Sequence, residues 1–209
     1  MATADHNLIN RVSVAATRGA ELAAAIPVLA QLRMTVFRAF PYLYDGDLEA
    51  EEEYLHSYTA SPDSVIVLAR DGDEVIGAAT ALPLQHEPDF LVQPFEQHGI
   101  DPTEVFYFGE SVLLPRYRGR GIGVRFFVER EAHARSFGER FRLASFCAVQ
   151  RDAGHPRRPA DYQALDEFWR HRGYTRQPQL RTNFPWREVD GDAEIDHTMV
   201  YWTKPLGAP

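Results

Sequence analysis

Residues 112–123 read VLLPRYRGRGIG, an apolar strand end followed by a proline, three glycines and a helix start near Ile122. Glycines between a strand and a helix let the backbone approach a ligand closely, with amides pointing outward. The helix start adds unpaired N–H groups and the positive end of the helix dipole. This combination predicts an anion site suited to a pyrophosphate, with Arg118 and Arg120 supplying charge for further phosphate oxygens.

Three other interpretations of this turn compete with a pyrophosphate site. A Walker A loop fails, because the chain has no G-x-x-x-x-G-K-[ST] pattern. A Rossmann fingerprint fits poorly, because Val124 stands where glycine or alanine is wanted and the turn follows a hairpin instead of opening a βαβ unit. A tight strand-to-helix turn with solvated arginines stays open.

Around the turn, apolar periodicity predicts strands and helices along the whole chain. The predicted strands are 11–18, 64–70, 74–84, 104–114, 141–149, 180–187 and 198–204. The predicted helices are 26–40, one capped by Asp47, one that leads from the glycine turn to residue 137, and 162–172. Residues 85–102 read as a long polar loop of a kind that is often functional. This order predicts an α/β fold, a mixed sheet with helices on its faces.

Composition and charge limit the class of protein. The 209 residues include 22 Lys and Arg against 30 Asp and Glu, a net charge of −8. Nucleic-acid binding needs a basic surface, so this balance argues against it. The chain has no apolar run of membrane-spanning length, and residues 1–11 lack the apolar stretch of a signal peptide. We therefore expect one soluble, cytoplasmic domain over residues 1–209, with no nucleic-acid or membrane partner.

Metal and disulfide chemistry have little support in the sequence. Cys147 is the single cysteine, which excludes an internal disulfide and argues against a Cys-built zinc site. The eight histidines are scattered, without an H-x-x-x-H or H-x-H pair. We therefore expect no metal.

The glycine turn also resembles the signature of the GNAT superfamily, which transfers acyl groups from acyl-coenzyme A. Arg118-x-x-Gly121-x-Gly123 matches [RQ]-x-x-G-x-[GA], and the longer form P-x-Y-R-G-x-G-I-G runs unbroken from Pro115. The predicted element order is similar too. The resemblance implies a GNAT fold, with a mixed, mostly antiparallel sheet of about seven strands, splayed near the middle, and helices on both faces.

The resemblance further implies acetyl-CoA as co-substrate. The turn would hold the coenzyme pyrophosphate, and the end of the preceding strand would pair through its backbone with the pantetheine arm. The candidate residues for the turn are Arg118, Gly119, Arg120, Gly121, Ile122 and Gly123. The candidates for the strand end are Val112, Leu113 and Leu114.

Glu110 is the candidate general base. Acyl transfer requires a neutral amine, so a side chain or a water chain must take the amine proton. Glu110 lies in the apolar stretch FYFGESVLL (106–114), where burial would raise the pKa of a carboxyl toward that of a base. The resemblance agrees, since GNAT enzymes often carry a glutamate on this strand. Pairing with a structural arginine is the alternative.

The candidate general acid is less direct. In many GNAT enzymes, a tyrosine in the pattern F-Y-x-x-x-G-[FY] protonates the departing thiolate. The matching stretch here is 168–174, where Trp169 replaces that tyrosine and its indole N–H cannot serve as an acid. Tyr162, at the start of the same predicted helix, is our substitute. Packing of Tyr162 onto the sheet, with water as the acid, is the alternative.

The resemblance places one wall of the acceptor site at the joint between the first two helices, FPYLYDGD (40–47). Aromatic and ionic contacts there would suit an amine. The candidate substrate residues are Phe40, Tyr42, Tyr44 and Asp45. A hydrophobic hinge is the alternative interpretation of this joint.

The predicted function is acetyl-CoA-dependent N-acetylation of a primary amine by direct attack in a ternary complex. A non-catalytic acyl-CoA-binding or regulatory domain is the alternative, and a Rossmann-type nucleotide binder is a third interpretation. The acceptor is expected to be a small-molecule or peptide amine. Amino acid, polyamine, antibiotic and protein terminus all stay open, and so does a homodimer.

Overall fold

A computed structural model describes residues 12–17 and 20–207. The strands in these ranges are β1 (Val12–Thr17), β2 (Val65–Asp71), β3 (Glu74–Pro83), β4 (Val105–Tyr107), β5 (Ser111–Leu113), β6 (Leu143–Val149), β7 (Thr175–Arg187) and β8 (Glu194–Pro205). The helices are α1 (Ala20–Phe37), α2 (Leu48–Ala60), α3 (Asp89–Glu96), α4 (Ile122–Arg135) and α5 (Asp166–Arg170). Single 3-10 turns cover Leu84–His86, Pro102–Glu104, Pro115–Tyr117 and Gly138–Arg140.

The eight strands form one sheet in the order β1-β2-β3-β4-β6-β8-β7, with β5 also paired to β3. All neighbours are antiparallel except β4 and β6, which run parallel. Apolar clusters cover both faces of this sheet. Ile66 and Leu68 pack in the cluster under α1, α2 and α3, whereas Val65 and Val67 point into the cluster under α4. The predicted mixed, mostly antiparallel sheet with helices on both faces is therefore confirmed.

The predicted continuous strand 104–114 is wrong, because it breaks between β4 and β5. β4 pairs with β6 as far as Tyr107, and the Phe108 amide donates to the Ser145 carbonyl at 2.7 Å. After the break, β5 pairs with β3 and no longer with β6. Glycine is needed at position 109 of this break, because a Cβ there would clash with the Tyr58 hydroxyl at a distance of 2.0 Å. The sheet therefore opens into a wedge between β5 and β6.

Several predicted boundaries also need correction. Residues 85–102 are not a continuous loop, since α3 lies within them and buries Leu91 and Phe95, four residues apart on one helix face. The last helix begins at Asp166 instead of residue 162, so Tyr162 lies in the loop before it. The flanking Arg11 and Arg18 of the first predicted strand lie outside the described residues. No helix in the described ranges combines the length and the apolar character needed to cross a membrane.

Candidate active site

The glycine turn lies at the mouth of the wedge and leads into α4. Gly119 and Gly121 have φ angles of +75° and +78°, in the left-handed region that favours glycine. A Cβ at either position would meet no atom of residues 12–17 and 20–207 within 4 Å, so these residues leave the space over the turn open. The backbone conformation therefore favours glycine at both positions, and the missing side chains leave the turn accessible.

The amino end of α4 presents unpaired amides. Its N-cap residue is Gly121, which has no side chain to accept hydrogen bonds from these amides. Arg125 donates to the Gly121 carbonyl at 3.2 Å, so the amides of Ile122, Gly123 and Val124 precede the first helical hydrogen bond. The first turn of α4 has no acidic side chain to occupy this positive end. The geometry is that of an anion site.

The arginines near the turn differ in whether their guanidinium groups already have partners within the protein. Arg116 pairs with Glu74, and Arg125 donates to the Val14 carbonyl at 2.9 Å. The Arg120 guanidinium lies 5.4 Å from the centre of the Tyr117 ring. Arg118 is exposed, and its side chain has no hydrogen bond or ion pair to any residue within 12–17 and 20–207. Arg118 therefore has its charge available for a ligand.

The backbone of β5 exposes only part of its hydrogen-bonding groups to the wedge. Thr80 donates to the Glu110 carbonyl at 3.0 Å, and Leu114 donates to the Ile76 carbonyl at 3.0 Å. Because alternate residues of an antiparallel strand bond to one neighbour, the groups of Ser111 and Leu113 point away from β3, toward the wedge. The predicted pantetheine contacts at Val112, Leu113 and Leu114 stay predictions, and the strand geometry favours Leu113 among them.

Glu110 lies at the break between β4 and β5 and is buried. Its Oε2 accepts from Arg33 Nη1 at 2.6 Å, and its amide donates to the Thr80 hydroxyl oxygen at 3.1 Å. Its Oε1 makes no hydrogen bond to any described residue. Burial raises the pKa of the Glu110 carboxyl, and the positive charge of Arg33 opposes that rise. One oxygen is therefore held in place and the other can accept a proton.

Arg33 of α1 organises the carboxylates beneath the first two helices. Besides Glu110, it pairs with the buried Glu51 of α2. Its guanidinium lies 4.7 Å from the centre of the Tyr54 ring and 5.1 Å from that of Phe37. The sequence analysis missed Arg33 and Glu51, because one arginine and one of four helix glutamates carry no distinguishing pattern.

Arg130 of α4 fills the other side of the strand break. The residue is buried, and it donates to the carbonyls of Thr80 (3.2 Å) and Glu110 (3.3 Å) and to the Ser111 hydroxyl (2.9 Å). Burial lowers the pKa of Arg130 to about 10. Its guanidinium also lies 4.3 Å from the centre of the Phe108 ring. Arg130 therefore stabilises the backbone on which Glu110 is carried.

The joint between α1 and α2 forms an aromatic wall. Tyr42 packs on Phe37 with ring centres 4.5 Å apart, and Phe40 packs edge-to-face on Tyr162 at 4.7 Å. Burial raises the pKa of the Tyr42, Tyr44 and Tyr162 hydroxyls, so all three stay protonated at neutral pH.

Asp45, a predicted substrate residue in the same joint, is engaged in ion pairs. Its two oxygens pair with Arg38 at 2.8 Å and Arg187 at 2.9 Å. Both oxygens therefore already have cationic partners at the surface, and contact of Asp45 with the amine, which would replace one of these pairs, stays a prediction. Trp169, which stands in place of the tyrosine of the F-Y-x-x-x-G-[FY] pattern, packs against Phe146 and Trp202 with ring centres 5.1 Å away in each case.

Glu87 is a further buried carboxyl that the sequence analysis missed. It follows β3 and the first 3-10 turn, inside the stretch that reads as a functional loop, but no motif marks it. Neither of its carboxyl oxygens has a hydrogen-bond partner among the described residues. Burial, with a smaller contribution from Glu110, raises its pKa to about 8. Within residues 12–17 and 20–207, no group of three His, Cys, Asp or Glu side chains could hold a metal ion.

Comparison with protein families gives a match that includes this site. Residues 29–157 match the Acetyltransferase (GNAT) family, a span that includes α2, the break between β4 and β5, and the glycine turn. No curated protein sequence matches the chain.

Solved structures with the same fold are numerous. One is YncA from Salmonella typhimurium, described as an acetyltransferase with its cofactor acetyl-CoA (10% identity, TM-score 0.59, 95% of each chain covered). Another is ribosomal-protein-alanine N-acetyltransferase from Brucella melitensis (14% identity, TM-score 0.58, 91% of this chain and 99% of that one). A third is an aminoglycoside 6′-N-acetyltransferase complexed with coenzyme A (18% identity, TM-score 0.54, 94% and 98%). Identities this low show similarity of fold.

Proposed function

Because the chain belongs to the GNAT acetyltransferase family, we propose that it transfers an acetyl group from acetyl-CoA to a primary amine. The proposal rests chiefly on the glycine turn, which combines two left-handed glycines, the unpaired amides of α4 and the available charge of Arg118. Such an arrangement suits a pyrophosphate. Two similar structures, YncA and the aminoglycoside acetyltransferase, carry acetyl-CoA or coenzyme A.

The residues along the wedge fit the rest of the coenzyme. The open space over Gly119 and Gly121 leaves room for a diphosphate. The backbone groups of Leu113 face the wedge and would pair with the pantetheine amides. When bound, acetyl-CoA supplies the activated thioester whose acyl group is transferred. No metal is required in this chemistry.

Glu110 is the proposed general base. In the transfer, the amine nitrogen forms a bond to the acyl carbon, the C–S bond breaks, and the amine must lose a proton. Oε1 of Glu110 would accept that proton directly or through one water, while Arg33 holds Oε2. The raised pKa of Glu110 favours proton uptake over that of an exposed carboxylate.

Tyr162 remains the proposed general acid for the coenzyme thiolate. Its ring is half-buried against Phe40, and the Arg158 guanidinium lies 4.8 Å from the ring centre. A Tyr162→Phe variant should lose turnover while it keeps its affinity for acetyl-CoA. Unchanged turnover in that variant would assign the protonation to water.

The test of the proposed function measures acetyl-CoA binding by calorimetry and thiol release with a panel of primary amines, with mass spectrometry of the products. We expect amine-dependent thiol release and products heavier by one acetyl group. Binding of acetyl-CoA without acetylation of any amine would favour the non-catalytic acyl-CoA-binding domain. Failure to bind acetyl-CoA would overturn the proposal.

A matched pair of variants tests the role of the turn. Arg118→Ala should weaken acetyl-CoA binding, because that side chain has no partner among the described residues. Arg116→Ala removes the same charge three positions from Gly119 but breaks an existing pair with Glu74. Equal affinity losses in both variants would show a general charge effect and would exclude a specific phosphate contact by Arg118.

A further inference from the structure

Glu87, directly after the 3-10 turn Leu84–His86, is a buried carboxyl without a hydrogen-bond partner among the described residues. Its amide donates to the Leu84 carbonyl at 3.0 Å, which fixes the backbone after β3. Only 5% of the residue is exposed, and both carboxyl oxygens lack a hydrogen bond to any described residue. Even when the carboxyl is protonated, burial of its polar atoms without hydrogen bonds destabilises the folded protein. Such a group requires an explanation outside the protein's own hydrogen bonds.

The groups around Glu87 are mostly tyrosines. Those that interact with it electrostatically are Tyr54, Tyr58, Tyr107, Tyr201, Cys147, Glu110 and Arg33. Tyr201 donates its hydroxyl to the Leu91 carbonyl at 2.9 Å, and the Tyr107 hydroxyl lies 3.1 Å from the Cys147 sulfur. These two hydroxyls have other partners. The rings nonetheless offer π faces, which attract cations.

The charges in this region leave Glu87 without a cation of its own. Arg33 pairs with Glu51 and Glu110, and Arg130 donates to backbone carbonyls and a serine hydroxyl. Glu51, Glu87 and Glu110 thus belong to one connected group with two guanidinium groups, because Arg33 interacts with all three carboxyls and Arg130 interacts with Glu110. If Glu87 ionises, the region carries one negative charge in excess. A cation supplied from outside would balance it.

Resting on the acetyltransferase function above, we propose that Glu87 binds a second ammonium group of the acceptor, so that the preferred substrates are aliphatic diamines and polyamines. One amine would face Oε1 of Glu110 and the acyl group, and the other would pair with the Glu87 carboxylate. A charge-assisted pair in a buried, tyrosine-lined region is stronger than one at the surface. A monoamine of the same length leaves Glu87 unpaired.

Binding of the ammonium is coupled to loss of a proton. Because burial raises the pKa of Glu87 to about 8, the carboxyl is mostly protonated at neutral pH in the absence of a cation. The ammonium favours the ionised form. A diamine should therefore release close to one proton on binding at pH 7, and a monoamine should not.

The experiment compares propylamine, butylamine and pentylamine with the diamines of the same chain lengths. The wild type should acetylate at least one diamine with a kcat/KM roughly 10–100-fold above that of its monoamine. Glu87→Gln, which keeps the size of the side chain and removes its charge, should abolish this preference by lowering the diamine kcat/KM to that of the monoamine. Glu96→Gln, an exposed glutamate of α3, should preserve the preference.

Calorimetry in buffers of different ionisation enthalpy separates this inference from the proposed function. Diamine binding with proton release that is lost in Glu87→Gln supports the inference even if no amine is acetylated. If the glutamine variant does not fold, the proton release of the wild type and the behaviour of Glu87→Asp, which should keep it, decide the matter. Equal kcat/KM values for diamines and monoamines in the wild type, or a diamine preference that survives in Glu87→Gln, would overturn the inference.

Discussion

Glu110 Oε2 lies 2.6 Å from Arg33 Nη1, while Glu110 Oε1 has no hydrogen-bond partner among the described residues. The two oxygens of one carboxyl therefore have different environments. The ion pair fixes the orientation of the carboxyl at the strand break, and the second oxygen stays available. Glu110 can therefore pair with an arginine and also act as a base, although the sequence pattern suggests these as alternative roles.

Replacement of Glu110 tests the base function. Glu110→Gln keeps the shape of the side chain but cannot accept the amine proton, so turnover should fall by about 10²–10⁴-fold. The affinity for acetyl-CoA, measured by calorimetry, should change little. The acidic limb of the pH–rate profile should also disappear.

Glu51→Gln is the matched control, since Glu51 shares Arg33 with Glu110. It removes the same charge from the same arginine and should leave turnover largely intact. Equal losses of turnover in the two variants would assign Glu110 a structural role. A Glu110→Gln variant with wild-type turnover would remove it from the mechanism.

Arg33→Met should destabilise the protein. It leaves Glu51 and Glu110, both almost fully buried, without their common cation. Removing one partner of a buried ion pair costs about 3–5 kcal/mol. Urea unfolding should show this loss at pH 7 and a smaller one at pH 5, where the Glu110 carboxyl, whose pKa is raised by burial, protonates more readily. A loss below about 1 kcal/mol at pH 7 would show that the Arg33 pairs are solvent-screened.

Arg130→Met should cost about 1.5–3 kcal/mol of unfolding free energy, because it keeps the buried stem but loses three donor contacts at the strand break. Amide hydrogen exchange should increase at Thr80 and Gly109, whose backbone groups pair across the break. Arg135→Met, at a less buried position of the same helix, is the control and should have little effect. Unchanged exchange at the break would contradict the role given to Arg130.

Glu87 should make stability depend on pH. Its pKa rises from 4.5 to about 8 in the folded protein, so the native state binds more protons than the unfolded state between these values. Its contribution to stability is present below about pH 4.5 and is lost as the pH rises through about 8. Thermal unfolding should show that the wild type loses more stability between pH 6 and 9 than Glu87→Gln does. Parallel pH curves for the two proteins would contradict this.

The glycine turn and the fold follow from local sequence signals. The strand, the glycines and the helix start are contiguous in VLLPRYRGRGIG, so the pattern in residues 112–123 predicts the turn, and the positive φ of Gly119 and Gly121 agrees with it. The strand break is different. It depends on the approach of Tyr58 and Thr80 to Gly109, and a contact between distant residues leaves no periodic trace in the sequence.

The buried charged groups near the strand break are hardest to predict for the same reason. Arg33, Glu87 and Glu110 come from three separate segments that meet only in the folded chain. Glu87 occurs among polar residues, where a glutamate is expected to be solvated, and only tertiary packing reveals that it is buried. Asp45 is the converse case. Its position in the aromatic joint suggests a substrate contact, whereas in the folded chain its two oxygens pair with Arg38 and Arg187.

Titration of acetyl-CoA into Gly121→Asn by calorimetry tests most directly whether the coenzyme binds over the glycine turn. Asparagine tolerates a positive φ, so the variant should stay folded by circular dichroism while its side chain fills the space over the turn. Gly138→Asn is the control, with φ +68° and equally open surroundings, beyond the other end of α4. We predict affinity at least about tenfold weaker for Gly121→Asn and unchanged for Gly138→Asn. Wild-type affinity in a folded Gly121→Asn variant would show that the coenzyme does not bind over the glycine turn.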